Sequence, residues 1–194
     1  MPDHLHAIPK PSGRTFVIGI STTLGRSLAV RACLNGHNLI IADEDLSAAD
    51  RLAEWMRSMG SSVIVESSHI GVHLVRDLHH HLDCVVDARL IVNETEDSVL
   101  EMAIGCARTI DRGGAYVRLH SGLMGCSLRS GFLDAANIGA ARGVGSVVLQ
   151  ATDEEAFDGD RAATLAFAAL SQPFTGLIDI RLTGSFERRF EGPP

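Results

Sequence analysis

Short apolar runs alternate along this chain with longer stretches in which apolar residues recur every three or four positions. Phe16-Val17-Ile18 ends at Gly19, and after a tight connection Gly25 opens an amphipathic stretch through Leu28, Val30 and Leu34. The pattern predicts strand, glycine turn, helix. Asn38 to Ala42 is a second strand, ending at Asp43. Ser47 to Met59 carries Leu52, Trp55, Met56 and Met59 at helical spacing, and Gly60 stops it. Ser62 to Glu66 then reads as strand, Ile70 to Leu82 as a helix with Leu74, Leu78 and Leu82 on one face, and Cys84 to Asp87 as a fourth strand.

The second half keeps this alternation. Asn93 and Glu96 form a capping box for a helix to about Ile110, and Gly113-Gly114 breaks the chain before the strand Ala115 to Leu119. A short helix over Phe132 to Ala141 leads to the strand Ser146 to Gln150. Arg161 to Ser171 is helical, Pro173 prevents its continuation, and Gly176 to Leu182 alternates as a final strand. Strand and helix in strict succession imply an α/β fold, a Rossmann-like, doubly wound parallel sheet of about seven strands. Residues 1–13 hold three prolines and no periodicity, so they read as a flexible tail before a single domain over 14–194.

Composition narrows the function. The 194 residues suit one core, and a formal charge of −7 with Lys10 as the one lysine excludes a phosphate-backbone footprint, so nucleic acid is not an expected partner. No run is long or apolar enough to span a membrane and the N-terminus lacks the apolar core of a secretory signal, so the expected location is cytoplasmic. Cys33, Cys84, Cys106 and Cys126 lack paired ligand spacing and read as reduced core residues.

The glycine turn is the first candidate site. A turn of this kind aims backbone N–H groups, with the positive end of a helix dipole, at a phosphate. Asp43 follows at about the 20-residue distance at which dinucleotide folds bind a ribose hydroxyl, although Glu44 and Asp45 beside it allow a solvated helix-entry charge equally well. A second candidate is His73, Asp77, His80 and His81, which would share part of a helix face. A polar surface helix explains them better than a metal centre, because no second element offers ligands. Gly143-Val144-Gly145 precedes a strand and is a helix stop, not a phosphate loop.

From Arg14 to about Ser185 the order of elements resembles the short-chain dehydrogenase/reductase (SDR) family. Gly19, Thr23 and Gly25 stand at the three glycines of its TGxxxGxG turn, LDCVVDARL at Leu82 to Leu90 resembles its iDxxVNNAG strand, and Thr175-Gly176-Leu177 with IDIRLTGS resembles its closing strand. Asn93 and Ser121 match its active-site asparagine and serine. The resemblance implies a Rossmann fold, a nicotinamide cofactor, and oligomers built through the helices after strands four and five and the last helix and strand.

The departures fall on the chemistry. The family moves a proton through a tyrosine with a lysine four residues later, and here the one tyrosine, Tyr116, and the one lysine, Lys10, lie far apart. Aligning DAANIGAARGV with the family motif puts Asp134 at the tyrosine and Ile138 at the lysine, and neither can do that work. Thr23 adds a Cβ where pyrophosphate makes its closest approach, Arg89 stands in the NNAG stretch, and His69 is near the adenine position. Insertions common in the family are missing after Leu90 and before Arg161, the second of which usually carries the substrate lid.

The reading that follows is a catalytically silent SDR-like subunit, a homo-oligomer or a hetero-oligomer with an active SDR chain. It has no expected catalytic residue, only relic positions Asn93, Ser121, Asp134 and Ile138. No cofactor is expected, and NAD, rather than NADP, if the seat of Gly19, Thr23, Gly25 and Asp43 is retained. The alternatives are an NAD-dependent oxidoreductase using Asp134, His120 or Tyr116 as an unusual donor, and a nucleotide-binding sensor.

Overall fold

The computed structural model describes residues 13–89, 95–121, 124–151, 159–170 and 174–182. The elements alternate without exception: β1 (Arg14–Ile18), α1 (Thr23–Leu34), β2 (Asn38–Asp43), α2 (Leu46–Ser58), β3 (Val63–Ser67), α3 (Val72–His79), β4 (Cys84–Asp87), α4 (Glu96–Thr109), β5 (Ala115–Ser121), α5 (Cys126–Ala140), β6 (Gly145–Ala151), α6 (Gly159–Leu170) and β7 (Gly176–Leu182). All seven strands pair in parallel in the order β3-β2-β1-β4-β5-β6-β7. This is the expected doubly wound α/β sheet, with its order reversing between β1 and β4, where such sheets open a crevice at their C-terminal ends.

Period-two alternation divides the strand side chains between two cores. Val17, Leu39, Ile41, Val117, Leu119 and Val147 face α1, α2 and α6. Phe16, Ile18, Ile40, Val85, Tyr116 and Val148 face α3, α4 and α5. Because both faces are covered, the strands are apolar on both sides.

Several boundaries and faces differ from the sequence reading. Helix α3 is shorter than Ile70 to Leu82: His80 turns left-handed at φ +62° and stops it. Its buried side is Val72 and Val75, while Leu74 and Leu78 are about half exposed. Leu82, grouped with them by spacing, lies in the core beyond the helix. Trp55, Met59 and Leu34 are likewise exposed at helix margins, and α2 docks through Ala49, Ala53 and Met56. Helix α5 begins at Cys126, not Phe132. Helix α4 is capped by Thr95, whose side chain accepts from the Ser98 N–H, so the Asn93 capping box is replaced by a cap two residues later; Asn93 itself lies outside the described residues. Cys33 and Cys106 are buried and Cys84 half-buried, whereas Cys126 is exposed.

Candidate functional site

The turn after β1 is built so that only glycine fits at two places. Gly19 has φ +83°, and a Cβ there would lie 2.8 Å from the Arg89 nitrogen and 2.9 Å from the Ala88 carbonyl carbon. A Cβ on Gly25 would land on the Gly19 carbonyl oxygen. Thr22 locks the two together as the N-cap of α1, its hydroxyl donating to the Gly19 carbonyl at 2.8 Å and accepting from the Gly25 N–H at 3.0 Å. The helix therefore starts at Thr23, two residues before the expected Gly25. Thr23 is exposed. Among the described residues its N–H and that of Leu24 meet no acceptor, so the positive end of α1 opens at the C-terminal edge of the sheet.

Asp43 is neither solvated nor displayed. It is 4% exposed, one oxygen accepting from the Ser21 N–H at 2.8 Å and the other from the Asp45 N–H at 3.0 Å. The carboxylate ties the end of β2 to the glycine turn, so an internal anion already occupies one donor of that turn. Asp45 in turn caps α2 at the Ala48 N–H.

Beside the turn lies a charged cluster that the sequence reading missed. Asp87, at the end of β4, is fully buried; Arg89 grips it with Nε at 2.8 Å and a terminal nitrogen at 2.9 Å, and buried Arg118 donates to it from β5. Burial by itself would raise the Asp87 pKa, but the Arg89 hydrogen bonds and the Arg118 and Arg89 charges outweigh burial and hold it below the ordinary carboxylate value. The available signal was register: Asp87 stands opposite Arg118 across β4 and β5, and an arginine inside the apolar run of β5 demands a partner. A second polar group lies further along the sheet, where Gln150 accepts from the Met124 N–H at 3.1 Å and donates to Asp179.

The remaining predicted residues do not converge. Asn93 and Lys10 lie outside the described residues. Ser121 ends β5 opposite Ala151. Asp134 is exposed on α5 and Ile138 half-buried one turn later. Tyr116 is 1% exposed, in the core between β5 and the α3, α4, α5 layer, and its hydroxyl has no partner among the described residues. Burial first, and then the Asp87 charge, push its phenol well above the ordinary value. His120 is half-buried near the end of β5. The histidines in and just after α3 scatter: His73 pairs with the Thr109 hydroxyl at 2.7 Å and His79 with Glu66 at 3.3 Å, while His81, beyond the end of the helix, lies against Asp83 and Asp111. Among the described residues no His, Cys, Asp and Glu grouping could hold a metal, and no helix is long and apolar enough to cross a membrane.

No protein-family model matches the chain, and no curated protein sequence does. Solved structures do. A short chain dehydrogenase from Mycobacterium smegmatis aligns with a TM-score of 0.68 at 16% identity over 94% of this chain and 96% of that one. A short chain dehydrogenase from Burkholderia cenocepacia, solved in complex with NADP, aligns at 0.65 and 17% identity over 89% and 96%. BdcA from E. coli aligns at 0.63 and 20% identity over 91% and 100%. At these identities the likeness is one of architecture, and the chain has the Rossmann-like fold of the short-chain dehydrogenases.

Proposed function

We propose that this chain is a catalytically silent SDR-like subunit that supports an active oxidoreductase or a pathway complex. The observation that carries the reading is the position of Tyr116. The one phenol in the sequence is sealed in the core with its proton held tightly, and the one lysine, Lys10, stands about a hundred residues away in the sequence, so the chain has no tyrosine with a lysine four residues later to protonate a developing alkoxide at the edge of the sheet. Asp134 is no substitute: it faces solvent from α5. The expected assembly is a homo-oligomer or a hetero-oligomer with an active SDR chain, and the expected location is cytoplasmic. Affinity isolation of the chain from its own cell tests this. Co-isolation of a dehydrogenase subunit in fixed ratio is the expected result; a stable homo-oligomer that reduces a carbonyl substrate without another chain overturns it.

A second reading, a nucleotide-binding sensor, is favoured by the turn itself. The unengaged N–H of exposed Thr23 at the start of α1 fits a phosphate, and the neighbours solved with NADP or NADPH carry a pyrophosphate. The ribose end fits less well, because both Asp43 oxygens are already engaged by backbone. If a dinucleotide binds, Gly19, Thr23 and Gly25 would hold its phosphates; it would supply hydride chemistry that these residues do not complete. Fluorescence titration with NADH and with NADPH separates the readings: saturable binding without turnover supports the sensor, and no binding at millimolar concentration removes it.

A further inference from the structure

We propose that His81 is a proton-dependent clasp that joins the start of β4 to the turn between α4 and β5 and so holds the C-terminal end of α3 in place. The clasp lies at the opposite end of the sheet from the glycine turn. His81 Nε2 is 2.8 Å from a carboxylate oxygen of Asp83, and Nδ1 is 2.6 Å from one of Asp111. A neutral imidazole has one donor and one acceptor, whereas the imidazolium donates at both nitrogens. Both contacts are at ion-pair distance, and the ring attracts both carboxylates as a cation only while it carries its second proton. When that proton leaves, the ring loses the charge that draws both carboxylates to it, and the clasp loosens. The ring is half exposed, so protons reach it freely.

Each carboxylate is itself wired to a different element. Asp111 accepts from the Leu82 N–H at 2.9 Å and from Arg76 of α3 at 3.3 Å, while the Asp111 N–H donates to the Leu82 carbonyl at 2.9 Å. Asp83 accepts from the Arg14 N–H at 2.7 Å at the start of β1. The Arg14 side chain donates to the His79 carbonyl, and His79 is paired with Glu66. On the far side of Asp83 stand His37, which feels its charge, and the Cys84 thiol, pushed up to about 12 by burial and then by Asp83. The clasp matters to α3 because that helix is short, buries just Val72 and Val75, and ends on a left-handed non-glycine residue, His80. Polar ties carry much of its attachment.

Two-dimensional NMR over a pH series reads the clasp directly. The His81 ring and the backbone amides of Leu82 and Asp111 are followed together, in the wild type and in His81→Gln and Asp111→Asn. The expected result is that both amides move with the midpoint of the His81 ring in the wild type, that this movement vanishes in His81→Gln, and that the Leu82 amide no longer follows the ring in Asp111→Asn. Amides that stay fixed while the His81 ring titrates, or that move as before in His81→Gln, overturn the proposal. The wild-type series decides the point even if a variant folds poorly.

Discussion

Replacing Asp87 with asparagine isolates the charged cluster at the end of β4. The substitution keeps the shape of the side chain and removes the charge that Arg89 and Arg118 share, leaving two guanidinium groups in a site where Asp87 is fully buried and Arg118 is 3% exposed. Removing one partner of a buried ion pair costs about 3–5 kcal/mol. Against a typical domain stability of about 5–15 kcal/mol, that is a large fraction of the total. Urea unfolding followed by far-UV circular dichroism at neutral pH should show the midpoint falling by that equivalent. The acid limb gives a second, independent reading. The folded pKa of Asp87 lies below its unfolded value of 3.8, so its contribution is complete above 3.8 and is lost as pH falls through the folded value. Asp87→Asn should therefore be less sensitive than the wild type to acidification in that window. A loss below about 1 kcal/mol, the ordinary range for exposed pairs, together with an unchanged acid limb, would refute the assignment of these three residues as a mutually dependent buried unit.

Other perturbations separate structural from chemical roles. Tyr116→Phe removes a buried hydroxyl that has no described partner, so stability should change by less than about 1 kcal/mol or rise slightly in thermal unfolding; an abolished dehydrogenase activity with an unchanged fold would instead make it a catalytic donor. Gly25→Ala drives a methyl group onto the Gly19 carbonyl and should cost about 1–3 kcal/mol or more, read from the denaturation midpoint. Thr22→Ala removes the cap of α1 and should cost about 1 kcal/mol in the same assay. His37, buried with its pKa lowered first by desolvation and partly restored by Asp83, is neutral in the fold. Stability should thus decline as pH falls below its unfolded value of 6.5, and His37→Gln should flatten that decline.

The fold was legible because the apolar pattern and the fold impose the same alternation, and β4 and β7 begin and end where the residues predicted. The helices were harder to face. Leu74 and Leu78 have the spacing of a buried stripe, but α3 lies toward the margin of the sheet and meets it through Val72 and Val75, and spacing alone cannot tell which of two apolar stripes meets the sheet. The early start of α5 was hidden by the polar sequence Cys126-Ser127-Leu128-Arg129-Ser130, which turns one apolar residue, Leu128, inward. At the candidate site the glycines were readable, since their need comes from local backbone geometry. The engagement of Asp43 by Ser21 and the grip of Arg118 on Asp87 were not, because each joins residues distant in sequence across neighbouring strands.

Cys126 stands apart from the other three thiols: two are sealed inside, one is half covered with its ionisation suppressed, and this one meets solvent. A maleimide dye should therefore attach at a single place, at the first turn of α5 just beyond the C-terminal end of β5. That gives the protein a natural reporter position, and a change in dye emission would register a docking subunit or an arriving nucleotide without any engineered residue.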